Sequence, residues 1–378
     1  MEELSIYIHF PYCELKCPYC DFNSHVMSDF KEKEHLKAWK QEIDFFLIKT
    51  GKSHILRSVF FGGGTPSLMK AETVFEILEY IKNHSQIVWQ NPEITLEANP
   101  SSAEYGKFRD FRKAGVGRLS IGVQSFNAEN LKFLGRKHGV EEAKTALLMA
   151  LEIFENYSFD LIYCLPNQTL EEWGKELEEA LQKYALGHIS AYTLTIEKGT
   201  KFFAMHSSGA FSLPKIEDDF YALTNSILKE NGFERYEVSN YAKGGFECKH
   251  NVGYWQSVDY LGVGAGAHGR VMIDGKRFAT QNFAGPEKYL SSQNKMQTFV
   301  ELSAEDVIKE TLIMNLRYKN GVDIGGFKRK YGFDLIEKLP KRHLDAMVEN
   351  GLLELNSSNL RLTEAGINLA NSIVQKLT

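Results

Sequence analysis

Residues 11–20 read Pro11-Tyr12-Cys13-Glu14-Leu15-Lys16-Cys17-Pro18-Tyr19-Cys20, and the three cysteines in that stretch are the most informative feature of the chain. A cubane iron–sulfur cluster needs four ligands; three thiolates at these spacings can hold three of its irons and leave the last open to an exogenous group, such as the amino and carboxylate ends of a small molecule. Zinc binding and inert packing are the competing readings. A zinc ion wants a fourth ligand, for which His9 and His25 are available, but structural zinc ligands more often come as two separated pairs.

Outside this stretch the composition is that of an ordinary globular protein. A chain of 378 residues is long enough for one large unit and a smaller one. With a formal net charge of −5 it has no general attraction for nucleic acid. No basic stretch followed by an apolar run opens the sequence, and no apolar run reaches membrane-spanning length, so the expected location is the cytoplasm. Five cysteines, three of them clustered, do not make a disulfide framework.

Six short β-forming segments follow one another at residues 5–9, 56–61, 93–97, 117–123, 158–165 and 188–195. Helical periodicity fills 30–48, 71–83, 103–114, 140–154 and 170–184 between them. This alternation predicts parallel βαβ units, either an incomplete (β/α) barrel or a doubly wound sheet, with ligands at the carboxyl ends of the strands. Marked residues fall at those ends. Gly62-Gly63-Gly64-Thr65 follows the second strand, where glycines let backbone approach a ligand or make a tight turn. Glu97 closes the third strand and could accept ribose hydroxyls, or be a solvated turn residue. Gln124 closes the fourth, and Arg136 follows as a fork for a carboxylate or a surface cation. Asp160 lies in an apolar run where an unpaired charge is costly, so it needs a partner, either a ligand or Arg136.

The CxxxCxxC spacing resembles the radical S-adenosylmethionine (SAM) superfamily. The series Ile-Tyr-Ile-His-Phe-Pro-Tyr-Cys, Gly-Gly-Gly-Thr-Pro-Ser, Leu-Glu-Ala-Asn-Pro, Gly-Val-Gln-Ser-Phe, Leu-Gly-Arg and Asp-Leu-Ile-Tyr resembles the oxygen-independent coproporphyrinogen III oxidase family over nearly the whole chain. That resemblance implies an α/β fold, a radical SAM partial (β/α)6 TIM-like barrel with a C-terminal helical, winged-helix-like domain. It implies a [4Fe–4S] cluster on Cys13, Cys17 and Cys20, and a SAM site lined by Tyr7, Tyr19, Gly63, Gly64, Thr65, Glu97, Gln124, Arg136 and Asp160. In the superfamily the reduced cluster passes an electron to the SAM sulfonium; the cofactor carries that chemistry and the protein orients it.

Two departures point to the HemW-like heme chaperone branch. Phe22 stands where the oxidase has a further cysteine, and only twelve residues precede Cys13 where the oxidase has a substantial extension. A third difference is Cys164, where relatives typically have glycine; it reads as a packed thiol. The positive sign of the branch is His250-Asn251-Val252-Gly253-Tyr254-Trp255, which resembles its HNxxYW motif. By that resemblance His250, Asn251, Tyr254 and Trp255 would bind heme, with imidazole as a natural axial ligand and the aromatic pair on a porphyrin face. Cys248 is a rival ligand, and the bland alternative is a turn whose aromatics belong to the core. Glycines in 261–268 read as close backbone packing, not a phosphate cradle.

After residue 300 the βα rhythm stops. Helices are expected at 304–317, 324–331 and 335–350, then a hairpin of 352–355 with 360–362 and a last helix from 364. The chain therefore divides into a core barrel (1–235), an extension carrying the HNxxYW segment (236–300) and a winged-helix-type domain (301–378). The basic stretch Lys328-Arg329-Lys330 reads as a solvated helix face, not a DNA contact. Two functions compete: a heme chaperone that passes heme to apo-cytochromes of respiratory complexes, and a coproporphyrinogen III oxidase that decarboxylates propionate side chains. Heme or a porphyrin is the expected partner, with at most peripheral membrane contact; a homodimer is left open.

Overall fold

The computed structural model describes residues 1–27 and 30–378. Six parallel strands form its centre: β1 (Glu2–Phe10), β2 (His54–Gly63), β3 (Glu93–Ala98), β4 (Arg118–Gln124), β5 (Asn156–Tyr163) and β6 (His188–Thr193). They pair in sequence order, each with the next. Between them run α1 (Glu32–Thr50), α2 (Ala71–Lys82), α3 (Phe108–Lys113), α4 (Val140–Ile153) and α5 (Leu170–Tyr184). Each helix covers the sheet with one face. In α1 that face is Leu36, Trp39, Ile43, Phe46 and Leu47, all buried at three- and four-residue spacings. A side chain of this size contributes about 1.5–3 kcal/mol on burial.

The outer edges of β1 and β6 are both taken, so the six strands form an open arc. Beside β6 lie β8 (Asn240–Ala242) and then β7 (Glu234–Arg235), both antiparallel. Beside β1 lies β9 (Asp259–Val263), a seventh parallel strand, continued by the antiparallel β10 (His268–Ile273), β11 (Lys276–Asn282) and β12 (Met296–Glu301). This second wing extends the sequence reading, which placed only a glycine-rich packing segment there. The glycines do pack closely: a Cβ on Gly262 would lie 1.9 Å from the His268 carbonyl oxygen, and one on Gly264 2.4 Å from that of His9.

Two expected helices are interrupted. Residues 103–114 are divided at Gly106, and 335–350 at Pro340, which opens the helix Lys341–Glu349. The C-terminal part has its own core of Val307, Leu312, Leu316, Phe327, Leu344, Leu353, Leu360 and Ile373. Its hairpin of Leu353–Leu355 with Asn359–Leu362 forms as expected and gains a third short strand, Val322–Asp323. One reading is corrected here. Lys328 and Arg329 are exposed, but Lys330 turns inward and sits 2.7 Å from the buried Asp259 carboxylate.

Candidate functional site

The carboxyl ends of β2 to β6 and the cysteine loop after β1 surround one cavity of about 400 Å³, a size suited to a small ligand. The loop is held at both ends, because Tyr12–Cys13 pairs with His25–Val26 as a two-residue parallel ladder. A turn from Cys20 N–H to the Cys17 carbonyl (3.1 Å) shapes its middle. The glycine loop is zipped onto the same backbone: Gly64 N–H donates to Phe10 O (2.7 Å) and Thr65 N–H to Tyr12 O (2.8 Å). A Cβ on Gly64 would stand 2.3 Å from Tyr12 O, and one on Gly63, whose φ is +108°, 2.4 Å from the His9 ring. These glycines are required by protein neighbours, and the close approach brings the Thr65 hydroxyl to Cys13 Sγ at 3.5 Å.

Cys13, Cys17 and Cys20 are free and half-buried on the cavity wall. Burial pushes the Cys13 and Cys20 thiols up. Among the described residues no three His, Cys, Asp or Glu side chains gather as a site for one metal ion. A cube spreads its cysteine sulfurs over three irons, whereas zinc requires all of them about 2.3 Å from one point. Three thiols on one cavity wall are a donor set that fits such a cube and leaves its fourth iron to another ligand.

Gly63, Gly64, Thr65, Glu97, Gln124, Arg136, Asp160 and Tyr19 all line the cavity. Arg136, one of the two partners left open for Asp160, makes its hydrogen bonds elsewhere. Its Nη2 donates to Asn99 Oδ1 (2.6 Å) and Gly122 O (2.8 Å), and its Nη1 to Cys17 Sγ (3.5 Å) and Tyr19 OH (3.4 Å). Its buried Nε has no partner among the described residues. An orphaned guanidinium donor on a cavity wall fits a ligand carboxylate. Glu97 accepts from Gly63 N–H at 3.1 Å. Burial and then the neighbouring Asp160 carboxylate push Glu97 up to about 8. Burial likewise raises Asp160 to about 6, against the hydrogen bond from Ser190 and the charges of Arg118 and Arg136. Two carboxyls with spare acceptor capacity fit a ribose diol or a cation. Gln124 sits at a strand irregularity with φ +72°, a left-handed conformation that aims its side chain into the cavity.

The tyrosine at position 7 is elsewhere. Its hydroxyl bonds His9 Nδ1 (2.9 Å), and its ring packs on Phe60 and His250 inside the barrel, outside the cavity lining. Asn99, Ser120 and Tyr192 also line the cavity and were missed by sequence reading. Asn99 stands inside Leu-Glu-Ala-Asn-Pro, so its place after β3 was the available signal.

The HNxxYW residues do not join this cavity. They form α6 (Lys249–Trp255), which packs against β2 and is held at the amino ends of the strands, where His250 N–H meets Glu93 Oε1 at 3.3 Å. His250 is 1% exposed, and both its nitrogens are engaged: Nδ1 with Ser58 Oγ (2.8 Å), Nε2 with Tyr254 OH (2.9 Å). Its ring stacks on Phe60 with centroids 4.9 Å apart. Burial pulls it down to about 3. Neither nitrogen is open to iron in this conformation, so an axial role for His250 would need the ring to leave these two partners. Asn251 and Trp255 sit on the same short helix, away from the cysteines. Cys248 is no better placed, being fully buried against Glu93 Oε1 (3.4 Å).

Three clustered thiols beside a small-ligand cavity at the strand ends of a six-stranded partial barrel make a candidate site of the radical SAM type. The Radical SAM superfamily model matches residues 7–180, and the HemN C-terminal domain model matches 302–369. The heme chaperone HemW of Haemophilus influenzae is 36% identical over 98% of this chain and 97% of its own. That of Escherichia coli is 35% identical over the same shares. The chain belongs to the HemW heme chaperone family of the radical SAM superfamily. Among solved structures, the coproporphyrinogen III oxidase HemN of Escherichia coli superposes with a TM-score of 0.80 at 22% identity, over 100% of this chain and 90% of that one; this likeness shows the fold.

Proposed function

We propose that this protein is a cytoplasmic heme chaperone that binds heme and delivers it to apo-cytochromes of respiratory complexes, while carrying a [4Fe–4S] cluster and SAM. The observation that carries the reading is the near full-length identity to proteins named heme chaperone HemW. Phe22, 59% exposed beside the third cysteine, supports it, since the oxidase expectation was a cysteine at that place. No helix among the described residues is long and apolar enough to cross a membrane.

Cys13, Cys17 and Cys20 would hold three irons. Arg136 would take the SAM carboxylate on its free Nε, Glu97 and Asp160 its hydroxyls or cationic groups, and Gly63 and Gly64 would floor the site. When bound, the cluster and SAM supply one-electron cleavage chemistry. The residues of this chain would bind, orient and shield: Gly63 N–H fixes Glu97, and burial beside Asp160 lets the Glu97 carboxyl hold its proton near neutrality.

Heme added to the anaerobically purified protein should produce a Soret band, and its absence would remove the chaperone reading. His250→Ala should keep that band per folded chain, because both imidazole nitrogens already serve the barrel; loss of the band would show that α6 moves to expose the ring. The cavity, which gathers eight of the nine expected SAM-site residues, favours one second reading, the coproporphyrinogen III oxidase. Steady protoporphyrinogen formation from coproporphyrinogen, SAM and a reductant would establish it.

A further inference from the structure

We infer that Asn99 is a positioning residue for the cluster, joining the ligands Cys13 and Cys17 through one hydrogen-bonded chain and so setting the cluster's reduction potential. On one side its Nδ2 donates to Thr65 Oγ1 at 3.0 Å. A hydroxyl that accepts from an amide turns its own single proton elsewhere, and Cys13 Sγ stands 3.5 Å away. On the other side its Oδ1 accepts from Arg136 Nη2 at 2.6 Å. Together with Gly122 O (2.8 Å) this fixes the guanidinium plane, so that Nη1 faces Cys17 Sγ at 3.5 Å.

The two ends of the Asn99 amide do opposite jobs. Arg136 can only donate, so the carbonyl end must face it; the nitrogen end is then left for Thr65. Aspartate would offer acceptors to both, and alanine would serve neither. The side chain is also held from behind. Asn99 N–H donates to Glu104 Oε2 at 2.9 Å, and Ser67 and Ser101 hydroxyls donate to the same buried carboxyl. Burial pushes Glu104 up, while those three donors oppose the rise.

N–H and O–H groups donating to a thiolate stabilise its negative charge, and they do so most in the reduced cluster, which carries one charge more; each such bond raises the potential. Asn99 touches neither sulfur. It acts through Thr65 and Arg136, so its loss should slacken donors on two different irons at once.

The inference rests on the reading of Cys13, Cys17 and Cys20 as cluster ligands. The test is an anaerobic redox titration, followed by paramagnetic resonance, of the reconstituted wild-type chain and of Asn99→Ala, Asn99→Asp and Thr65→Val, each with iron and sulfide counted. The expected result is a shift to more negative potential in all three, larger for Asn99→Ala than for Thr65→Val, because one variant frees two donors and the other removes one. Asn99 variants with full iron and sulfide and the wild-type potential would overturn the inference. If the Asn99 variants do not retain a cluster, the wild-type protein decides. Pulsed resonance in H2O against D2O should find exchangeable protons coupled to the reduced cluster, and their absence would overturn the inference. A wild-type chain with no iron and sulfide is a different outcome, which defeats the cluster reading itself.

Discussion

Glu97 illustrates how a cavity changes a single residue. Its carboxyl rises from 4.5 to about 8, first through burial and then through the adjacent Asp160. A carboxyl with a higher pKa folded than unfolded binds more protons in the folded state, so its contribution to stability is complete below pH 4.5 and is lost as pH climbs toward 8. Glu97→Gln removes that dependence. Denaturant unfolding of the SAM-free protein should show the variant gaining stability over wild type at pH 8 relative to pH 5, by on the order of 3 kcal/mol. Equal differences at the two pH values would mean that the carboxyl is already solvated. The sequence placed Glu97 at the end of a strand but left a solvated turn open, because the proximity of Asp160 arises only when β3 and β5 curve round the same cavity. Cys164 behaves similarly. It is a packed thiol, as read, and its φ of +61° gives the physical reason that glycine suits the position.

At the scale of elements, the glycine loop and the cysteine loop are one device. A Cβ at position 64 would meet the Tyr12 nitrogen, carbonyl carbon and oxygen at 2.3–2.8 Å, all backbone atoms that cannot rotate aside. Gly64→Ala should therefore push the two loops apart and lower iron bound per chain after reconstitution. The cost in stability is about 1–3 kcal/mol, as for other overpacked sites; full iron retention would show that the loops need not be zipped. The six parallel strands and their helices were legible because local periodicity reports them. The wing β9 to β12 was not, since its dense glycines hide a strand pattern and its pairing with β1 joins residues more than 250 apart in sequence. The place of the segment at 250–255 was hidden for a related reason: a histidine followed by aromatics gives the chemistry of a ligand but not the end of the barrel on which it lies. Only the partners Ser58 and Tyr254 show that the imidazole is a tie within the fold.

Across the whole molecule, the C-terminal part is tied to the barrel by buried charge, including Lys330, which sequence alone read as solvated. Asp259, 4% exposed at the start of β9, receives Arg277 Nη1 at 3.2 Å and Lys330 Nζ at 2.7 Å, and it accepts from Met272 N–H at 2.6 Å. Lys330 also reaches Ser257 O at 2.7 Å. A second pair, Arg270 with Glu310, is bidentate but partly exposed, so it contributes about 1 kcal/mol or less. The energetic weight therefore lies on Asp259. Asp259→Ala would leave a guanidinium and an ammonium facing each other without their shared anion, a loss on the order of 3–5 kcal/mol. Lys330→Met should cost clearly less, because Arg277 still neutralises Asp259 and methionine fills the lysine's apolar path. Urea unfolding of both variants checks the order. Limited proteolysis checks the location, with Asp259→Ala expected to open the segment between β12 and the helix Ala304–Asn315 to cleavage while leaving the barrel resistant. If both variants lose the same small amount and neither becomes cleavable, the two parts are held by their apolar contacts and the buried triad is only tolerated.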